Sequence, residues 1–177
     1  KLMFETILKR YSGVNPNFKY TSLRYFNVAG NDIGNRVQDI HWRQKGNVIP
    51  KIMSRIIDGK GEFTIFGIDY DTPDGSCLRD YIHPTDLANA HLMCLEKEIT
   101  GVYNLGTSRG VSVWEIVKET VSATDTDIEV VHGKRRAGDP PVLVANPNRF
   151  MERSGWEPSY SIGEIVRTAY KAYKKVK

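Results

Sequence analysis

Two arginine-containing segments have the clearest potential for binding chemistry. Arg79 follows an acidic loop and precedes Asp80, and Arg135 and Arg136 stand shortly before Asp139. A guanidinium group donates two parallel hydrogen bonds to the oxygens of one phosphoryl group, so these arginines could bind a diphosphate. The alternative is that they form surface ion pairs with Asp80 and Asp139, and spacing alone favours this alternative.

Two further residues at the ends of predicted strands could contact a ligand. Phe66 closes the stretch Phe-Thr-Ile-Phe at 63–66 and could stack on a base, although an aromatic residue in this place is more often part of the core. Asn27 follows an aromatic segment and could orient a ligand hydroxyl or satisfy its own turn. Both interpretations stay open for each residue.

Cysteine and histidine patterns argue against a metal site. Cys77 and Cys94 do not form a Cys-x-x-Cys pair, and the 4 histidines include no His-Glu-x-x-His motif. We expect reduced, unpaired thiols and no bound metal. The basic residues also lack the interleaved stacking aromatics of a nucleic-acid-binding face, so no nucleic-acid partner is expected.

A glycine-rich phosphate turn is missing from the sequence. Gly101, Gly106 and Gly110 lie around the predicted strand at 102–105, but their spacing does not match Gly-x-Gly-x-x-Gly. If the protein uses a dinucleotide, the segment that binds its pyrophosphate lies elsewhere.

Alternating strands and helices are predicted to position the candidate ligand-binding residues. Hydrophobic periodicity predicts strands at 19–26, 63–66, 102–105 and 128–131 and a short extended run at 142–144. Six helices are predicted. The first is stopped by Gly13, the second covers 48–57, and the third is capped by Thr85. Two more open with capping boxes at Ser112 and Ser161, and a short helix ends at Gly155. Residues 67–80 are predicted to be entirely loop. This order predicts an α/β fold with a mainly parallel sheet, in which ligands bind at the carboxyl ends of the strands.

The composition is that of an ordinary globular domain. The 177 residues include 25 Lys and Arg, 21 Asp and Glu, a formal net charge of +4 and 40% hydrophobic residues, which excludes disordered and collagen-like classes. No apolar run approaches the ~18 residues of a membrane span, and no secretory h-region opens the chain. We expect a soluble, cytoplasmic protein with no membrane partner.

Five segments together resemble the C-terminal half of the UDP-glucose 4-epimerase family, in the extended short-chain dehydrogenase/reductase group. They cover essentially the whole chain: SLRYFNVAG at 22–30, NVIP at 47–50, FTIFGIDYDTPDGSCLRDYIHPTDLANAH at 63–91, YNLGTSRGVSV at 103–113 and RRAGDPPVLVANPNR at 135–149. The resemblance implies an α/β fold made of the C-terminal part of a Rossmann-like NAD-binding domain and a small α/β UDP-sugar domain, roughly 31–70 and 107–177. The glycine-rich, N-terminal half of the cofactor domain would then be absent.

The resemblance also implies catalytic and cofactor roles. Lys-Leu-Met at 1–3 looks like the end of a Tyr-x-x-x-Lys motif, which makes Lys1 the catalytic lysine and a contact of the NAD ribose. Its tyrosine would stand four residues upstream of residue 1. Tyr25 and Phe26 would lie along the nicotinamide. We therefore expect NAD as cofactor, UDP-glucose and UDP-galactose as substrates, a homodimeric full-length parent, and no activity from these 177 residues alone.

The implied UDP-sugar site consists of residues at the ends of predicted strands and helices. Its members are Asn27, Asn47, Phe66, Arg79, Arg136, Asp139 and Leu143. The asparagines would contact the diphosphate or nearby sugar, the phenylalanine the uracil, the arginines the phosphates, the aspartate the ribose hydroxyls, and the leucine would limit the room around the hexose. The resemblance thus reverses the preference that spacing gave for surface ion pairs.

Two other functions are compatible with the sequence. One is a related NAD-dependent nucleotide-sugar decarboxylase or dehydratase, and the other is a non-catalytic UDP-sugar-binding module. A sheet without its central strands is also expected to expose apolar edges, which would favour poor folding or oligomerisation of the chain alone.

Overall fold

A computed structural model describes residues 1–34, 36–37, 39–44, 46–59 and 61–175. The helices are α1 (Leu2–Val14), α2 (Val48–Ile57), α3 (Pro84–Glu96), α4 (Val113–Thr124), α5 (Asn148–Ser154) and α6 (Ile162–Tyr173), with a 3-10 turn at Trp42–Gln44. The strands are β1 (Thr21–Tyr25), β2 (Asn27–Val28), β3 (Glu62–Phe66), β4 (Leu78–Arg79), β5 (Tyr81–Ile82), β6 (Gly101–Leu105), β7 (Val111–Ser112), β8 (Glu129–Gly133) and β9 (Val142–Leu143).

The described strands pair mostly in parallel. The parallel pairs are β1 with β6, β2 with β5, β3 with β8, and β4 with β9, whereas β4 and β7 are antiparallel. Parallel pairing brings the carboxyl ends of neighbouring strands to one edge, where ligands bind in α/β proteins. The predicted α/β class with mainly parallel strands is confirmed.

Capping explains where two of the helices begin. The Ser161 side chain accepts a hydrogen bond from Glu164 N, and the Glu164 side chain accepts one from Ser161 N, so α6 opens with a complete capping box. Ser112 Oγ accepts from Glu115 N at 2.9 Å and caps α4, while the Glu115 carboxylate pairs instead with Arg109. Both predicted helix starts are confirmed, but the capping box predicted at Ser112 is wrong in one half, because the Glu115 carboxylate does not bond back to the Ser112 backbone.

The first hydrophobic core lies among α2, α4, α6 and the β3–β8 pair. It is built by the apolar stripes that the helical spacing predicts, including Ile49, Ile52, Ile116, Ile165 and Val166. These helices therefore stabilise the strands whose carboxyl ends carry the candidate site.

The second hydrophobic core lies among α3, α5 and β6, with Leu23 of β1 packed against it. Phe150 and Trp156 belong to this core and are fully buried, with ring centroids 5.6 Å apart. The segment 107–177 therefore contributes to both cores.

Short elements account for most errors of the sequence prediction. The strand predicted over 19–26 is shortened to β1, and β2 follows at residues 27–28, beyond its predicted end. The predicted loop 67–80 contains β4, and β5 and β7 have no predicted counterpart. Two-residue strands are too short to show a hydrophobic period, so pattern analysis does not find them. Thr85 does not cap α3: His83 does, through a ring nitrogen that accepts from Thr85 N.

Two helices expose apolar side chains, although an apolar helix face is normally buried against a core. In α1, Phe4, Ile7 and Tyr11 are 64, 55 and 52% exposed, and none of the helix's described residues is buried. In α3, the buried apolar side chains are those of Leu87, Ala90 and Cys94, whereas Leu92 and Leu95 are exposed. The exposed side chains among these therefore face away from both cores. None of the helices in the described ranges is long and apolar enough to cross a membrane.

Candidate functional site

A cleft of about 1510 Å³ opens at the carboxyl ends of β2, β3 and β4 and beside the start of α2. Six of the predicted site residues line it, each contributed by an end of a strand or helix or by the loop that follows β8. They are Asn27, Asn47, Phe66, Arg79, Arg136 and Asp139. The fold thus brings together residues that are up to 112 positions apart in the sequence, from 27 to 139.

Four predicted residues are not among the described residues that line the cleft. Lys1 is exposed and directly precedes α1, and Tyr25 is exposed at the end of β1 with its ring centroid 6.1 Å from that of His91. Phe26 lies between β1 and β2. Leu143 is exposed and pairs in register with Arg79, so it stands beside the cleft rather than in its wall.

Arg79 is held in place by three hydrogen bonds at the cleft wall. Nη1 donates to the carbonyl oxygens of Leu78 and Pro140, both at 2.8 Å, and Nη2 donates to Asp139 Oδ1 at 3.3 Å. Its ion-pair partner is therefore Asp139, and the alternative pairing of Arg79 with the adjacent Asp80 is wrong because the Asp80 carboxylate binds other groups. Asp139 and Arg79 therefore present a joined guanidinium and carboxylate to the cleft.

The loops after β3 and β8 are connected by two arginines. The Arg136 guanidinium carbon lies 4.1 Å from the centroid of the Phe66 ring, and that of Arg135 lies 4.3 Å from the Tyr70 ring. Arg135 Nε also donates to Asp69 Oδ1 at 2.7 Å, so its ion-pair partner is Asp69 and not Asp139. Contacts of this kind are attractive because the ring face is electron-rich. The uracil-side and phosphate-side candidates, Phe66 and Arg136, are therefore neighbours.

The two asparagines occupy different settings. Asn27 donates from both its backbone nitrogen and its side-chain Nδ2 to the carbonyl oxygen of Asp80, at 3.0 and 3.2 Å. Asn47 is the N-cap residue of α2, but its side chain makes no capping hydrogen bond. The Asn47 amide therefore sits at a helix N-terminus, where the backbone dipole favours an anionic ligand group.

Sequence reasoning missed several cleft residues. Lys51, Ser54 and Arg55 line the cleft from α2, at helical spacing from Asn47. That polar face, opposite the apolar stripe of the same helix, was the signal that could have identified them. Tyr81 also lines the cleft, and burial raises the pKa of its hydroxyl to about 12, so this group stays protonated at neutral pH and can donate a hydrogen bond.

Comparison with protein families gives a match over residues 1–106 to the family described as "NAD dependent epimerase/dehydratase family". This match covers more than half of the 177 residues. The chain belongs to this family.

Relatives within the family agree with the expected class. A UDP-glucose 4-epimerase from Lactobacillus helveticus is 38% identical over 179 residues, which span 98% of this chain and 54% of the relative. The crystal structure of UDP-glucose 4-epimerase from Brucella ovis in complex with NAD is 39% identical, with a TM-score of 0.88, and the match covers 98% of this chain and 54% of that chain. A third, from Stenotrophomonas maltophila with bound NAD and formylated UDP-arabinopyranose, is 28% identical with a TM-score of 0.90 and coverages of 99 and 53%. This chain therefore spans about half the length of the relatives it matches.

In this family member, a buried histidine fixes the segment that follows Asn27. His83 Nδ1 accepts from Thr85 N at 3.1 Å, and Nε2 lies 3.1 Å from Thr168 Oγ1, which itself donates to Ile165 O and accepts from Asn31 N. This arrangement requires a neutral imidazole with its proton on Nε2. Gly30 has φ +99°, and a Cβ there would lie 2.6 Å from His83 Cδ2, so only glycine fits between the segment and the ring. Metal-ligand clusters are not found in the part of the chain that the structure describes.

Stability should fall as the pH drops below about 6.5, because burial lowers the pKa of His83 in the folded state. Nearby Asp86, Glu164 and Asp32, together with a backbone hydrogen bond at Asn31, act in the opposite direction but are outweighed by burial. The unfolded chain then binds a proton that the folded chain does not, so the stabilisation is complete above pH 6.5 and is lost toward the folded-state pKa. Urea unfolding at pH 7.5 and pH 5 measures the effect.

The matched variants for this pH test are His83→Asn and His41→Asn. Asparagine is a good N-cap and removes the titration, so His83→Asn should reduce the difference in unfolding free energy between the two pH values. His41 is exposed, and His41→Asn should leave that difference unchanged. If the unfolding free energy of His83→Asn depends on pH as strongly as that of wild type, His83 is not the group responsible for the pH dependence.

Proposed function

We propose that this chain is the substrate-binding part of an NAD-dependent UDP-glucose 4-epimerase, which interconverts UDP-glucose and UDP-galactose. The observation that carries the proposal is the convergence of Arg79, Arg136, Asp139 and Phe66 on one cleft at the carboxyl ends of strands. Two guanidinium groups, a carboxylate and an aromatic ring match the diphosphate, the ribose hydroxyls and the base of UDP, respectively.

Binding of the UDP part is proposed to be distributed along the cleft. Arg79 and Arg136 bind the phosphates, Phe66 packs against the uracil, and Asp139 accepts hydrogen bonds from the ribose hydroxyls. Arg136 lies over the Phe66 ring, so it stands within reach of a nucleotide that packs beside that ring. Asn27 and Asn47 contact the diphosphate or the adjoining sugar.

Concentrating the binding energy on UDP suits an epimerase. The sugar must turn over between oxidation and reduction at C4, so it cannot be held tightly, and the non-reacting nucleotide has to supply the affinity. Leu143, beside Arg79 in register, is proposed to limit the space available to the hexose. NAD, when bound, supplies reversible hydride acceptance at C4.

The residues proposed to meet NAD suit the nicotinamide end of the cofactor. Lys1 and Tyr25 are exposed, so both are accessible to a ligand, and Phe26 follows Tyr25 at the end of β1. The Lys1 ammonium is proposed to contact the nicotinamide ribose and to lower the pKa of a catalytic tyrosine, which the resemblance places four residues before it. The sequence of this chain contains no glycine-rich pyrophosphate turn.

Domain organisation, assembly and location follow as parts of the same proposal. The UDP-sugar unit is proposed to comprise roughly residues 31–70 and 107–177, which include α2, α4 and α6, and the remaining strands and helices, among them α3 and β6, belong to the cofactor-binding unit. The full-length parent is a cytoplasmic homodimer. Exposed apolar stripes on α1 and α3 are consistent with further contacts in that parent.

Titration calorimetry of the 177-residue chain with UDP tests the proposal. We expect binding of UDP that is tighter than binding of UMP, because the second phosphate adds charge-assisted hydrogen bonds, and tighter than binding of ADP, because the base site is selective. An assay with UDP-galactose and added NAD should show no turnover, since the tyrosine and the dinucleotide turn are not among these residues. Absence of UDP binding would contradict the substrate assignment, and turnover would contradict the predicted inactivity.

A further inference from the structure

We infer that Asp80 is the positioning residue of the UDP-sugar site: its buried carboxylate joins the loop after β6 to the segment after β9 and so holds the backbone of Asp80, which sets where Asn27, Arg79 and Leu143 stand relative to one another. The inference rests on the proposed function, because it concerns the geometry of the proposed UDP site. Asp80 is not assigned to contact the substrate.

The Asp80 carboxylate is fully buried and accepts four hydrogen bonds from two separate segments. Oδ1 accepts from the backbone nitrogen and Oγ1 of Thr107, both at 2.8 Å. Oδ2 accepts from Ser108 N at 3.0 Å and from Ala145 N at 3.1 Å. One oxygen therefore binds the loop after β6 alone, and the other joins that loop to the segment after β9.

The backbone of Asp80 joins two more segments. Its nitrogen donates to Leu143 O at 3.2 Å, and its carbonyl oxygen accepts from Asn27 N and Asn27 Nδ2. Its neighbours in sequence, Arg79 and Tyr81, both line the cleft. Asp80 is thus bonded to two of the residues proposed to contact the substrate, Asn27 and Leu143, and is next in sequence to a third, Arg79.

The chemistry of the site requires a carboxylate. All four partners are N–H or O–H donors, and an ionised carboxylate is an acceptor only. An asparagine in this place would turn its NH2 group toward donors and leave them without an acceptor, which is costly for buried groups. Space is also limited, because a Cβ on Gly106 would lie 2.6 Å from Asp80 Oδ2 and 2.4 Å from Ala145 Cβ.

Asp86 provides a matched comparison elsewhere in the fold. It is also fully buried, and its carboxylate accepts from Ser159 N, Ser159 Oγ and Tyr160 N at 3.1, 2.8 and 3.3 Å. Its bonds reach a segment that carries none of the proposed substrate residues. Replacing either aspartate removes similar hydrogen bonds, but only Asp80 is bonded to proposed substrate-contacting residues, so only its replacement should displace them.

The test compares the variants Asp80→Asn and Asp86→Asn in the 177-residue chain. Both should lower the melting temperature, and calorimetric titration with UDP is then carried out at a temperature where wild type and variants are folded by circular dichroism. We expect Asp80→Asn to raise the Kd for UDP about tenfold or more, as loss of one well-placed charge-assisted hydrogen bond would. Asp86→Asn should change it by less than about twofold. Hydrogen exchange should accelerate at the amides of Thr107, Ser108 and Ala145 only in Asp80→Asn.

The outcomes separate this inference from the proposed function. Wild-type chain that fails to bind UDP overturns the proposed function and the inference with it. Wild-type binding together with an unchanged Kd in folded Asp80→Asn overturns the inference alone. An equal loss of affinity in both variants also overturns it, because a general loss of stability would then explain the effect.

A milder variant covers the case in which Asp80→Asn does not fold. Thr107→Val removes one of the four hydrogen bonds and keeps the shape of the side chain. It should raise the Kd for UDP by about two- to fivefold and accelerate exchange at Ser108 and Ala145. An unchanged Kd in this folded variant overturns the inference.

Discussion

Arg79→Ala is expected to weaken UDP binding by roughly 10- to 150-fold, because a hydrogen bond to a charged group contributes about 1.5–3 kcal/mol. The Arg79 side chain is only 15% exposed, so its interaction with a phosphate is screened less by water than that of a surface residue. Titration calorimetry with UDP measures the change directly.

The expected effect is large because Arg79 is already oriented before a ligand binds. Its contacts with the carbonyl oxygens of Leu78 and Pro140 fix the plane of the guanidinium group, so little side-chain entropy remains to be lost. The bond to Asp139 is long at 3.3 Å, which leaves both groups able to take ligand partners. Loss of Arg79 also removes the partner of Asp139.

Two control variants make the Arg79 prediction specific. Arg79→Lys keeps the charge but not the planar pair of donors, so its affinity should lie between those of wild type and Arg79→Ala. Arg109→Ala removes an exposed arginine that pairs with Glu115, and it should leave the Kd for UDP unchanged. Arg79→Ala that binds UDP as tightly as Arg109→Ala would show that Arg79 is not a phosphate ligand.

Trp42→Ala should lower the free energy of unfolding by about 3–5 kcal/mol, the range found when a large buried aromatic side chain is truncated. Trp42 is fully buried, and its ring lies parallel to that of Tyr173 at a centroid distance of 4.3 Å and an interplanar angle of 3°. The guanidinium carbon of Arg43 lies 4.5 Å from the centroid of the same ring. The variant therefore loses burial, ring stacking and a cation–π contact together.

This tryptophan matters because it joins the connection between β2 and α2 to the end of α6. Tyr173, its stacking partner, also lines the cleft, so the same contact supports one wall of the site. Urea denaturation followed by far-ultraviolet circular dichroism measures the change without using tryptophan fluorescence.

Trp42→Phe and Leu95→Ala are the controls for the stability prediction. Trp42→Phe keeps an aromatic ring against Tyr173 and should cost less than Trp42→Ala. Leu95 is 78% exposed, so Leu95→Ala should stay within about 0.5 kcal/mol of wild type. A loss below about 1 kcal/mol in Trp42→Ala would contradict the proposed anchoring role.

The local pattern of the sequence was sufficient for much of the fold. The apolar spacing of α2 and α6, the cap residues Ser112 and Ser161 and the alternation of strands with helices all reflect interactions between residues a few positions apart. Such interactions are visible in sequence because they recur at the period of the element. The prediction that the six cleft residues form one site came from the family resemblance, because spacing alone favoured surface ion pairs for the arginines.

Only the tertiary structure decided which partner each charged group has and which apolar faces are covered. Arg79 pairs with Asp139 rather than with the adjacent Asp80, whose carboxylate instead joins the loops at Thr107 and Ala145. Most apolar side chains of α1, and Leu92 and Leu95 of α3, are exposed, although an apolar helix face is normally buried. Helical spacing indicates that one face of a helix is apolar. Whether that face is buried, and which ion pairs form, depends on the distant segment that lies against it. The pairing of the strands and the packing of the helices on them determine which segment that is.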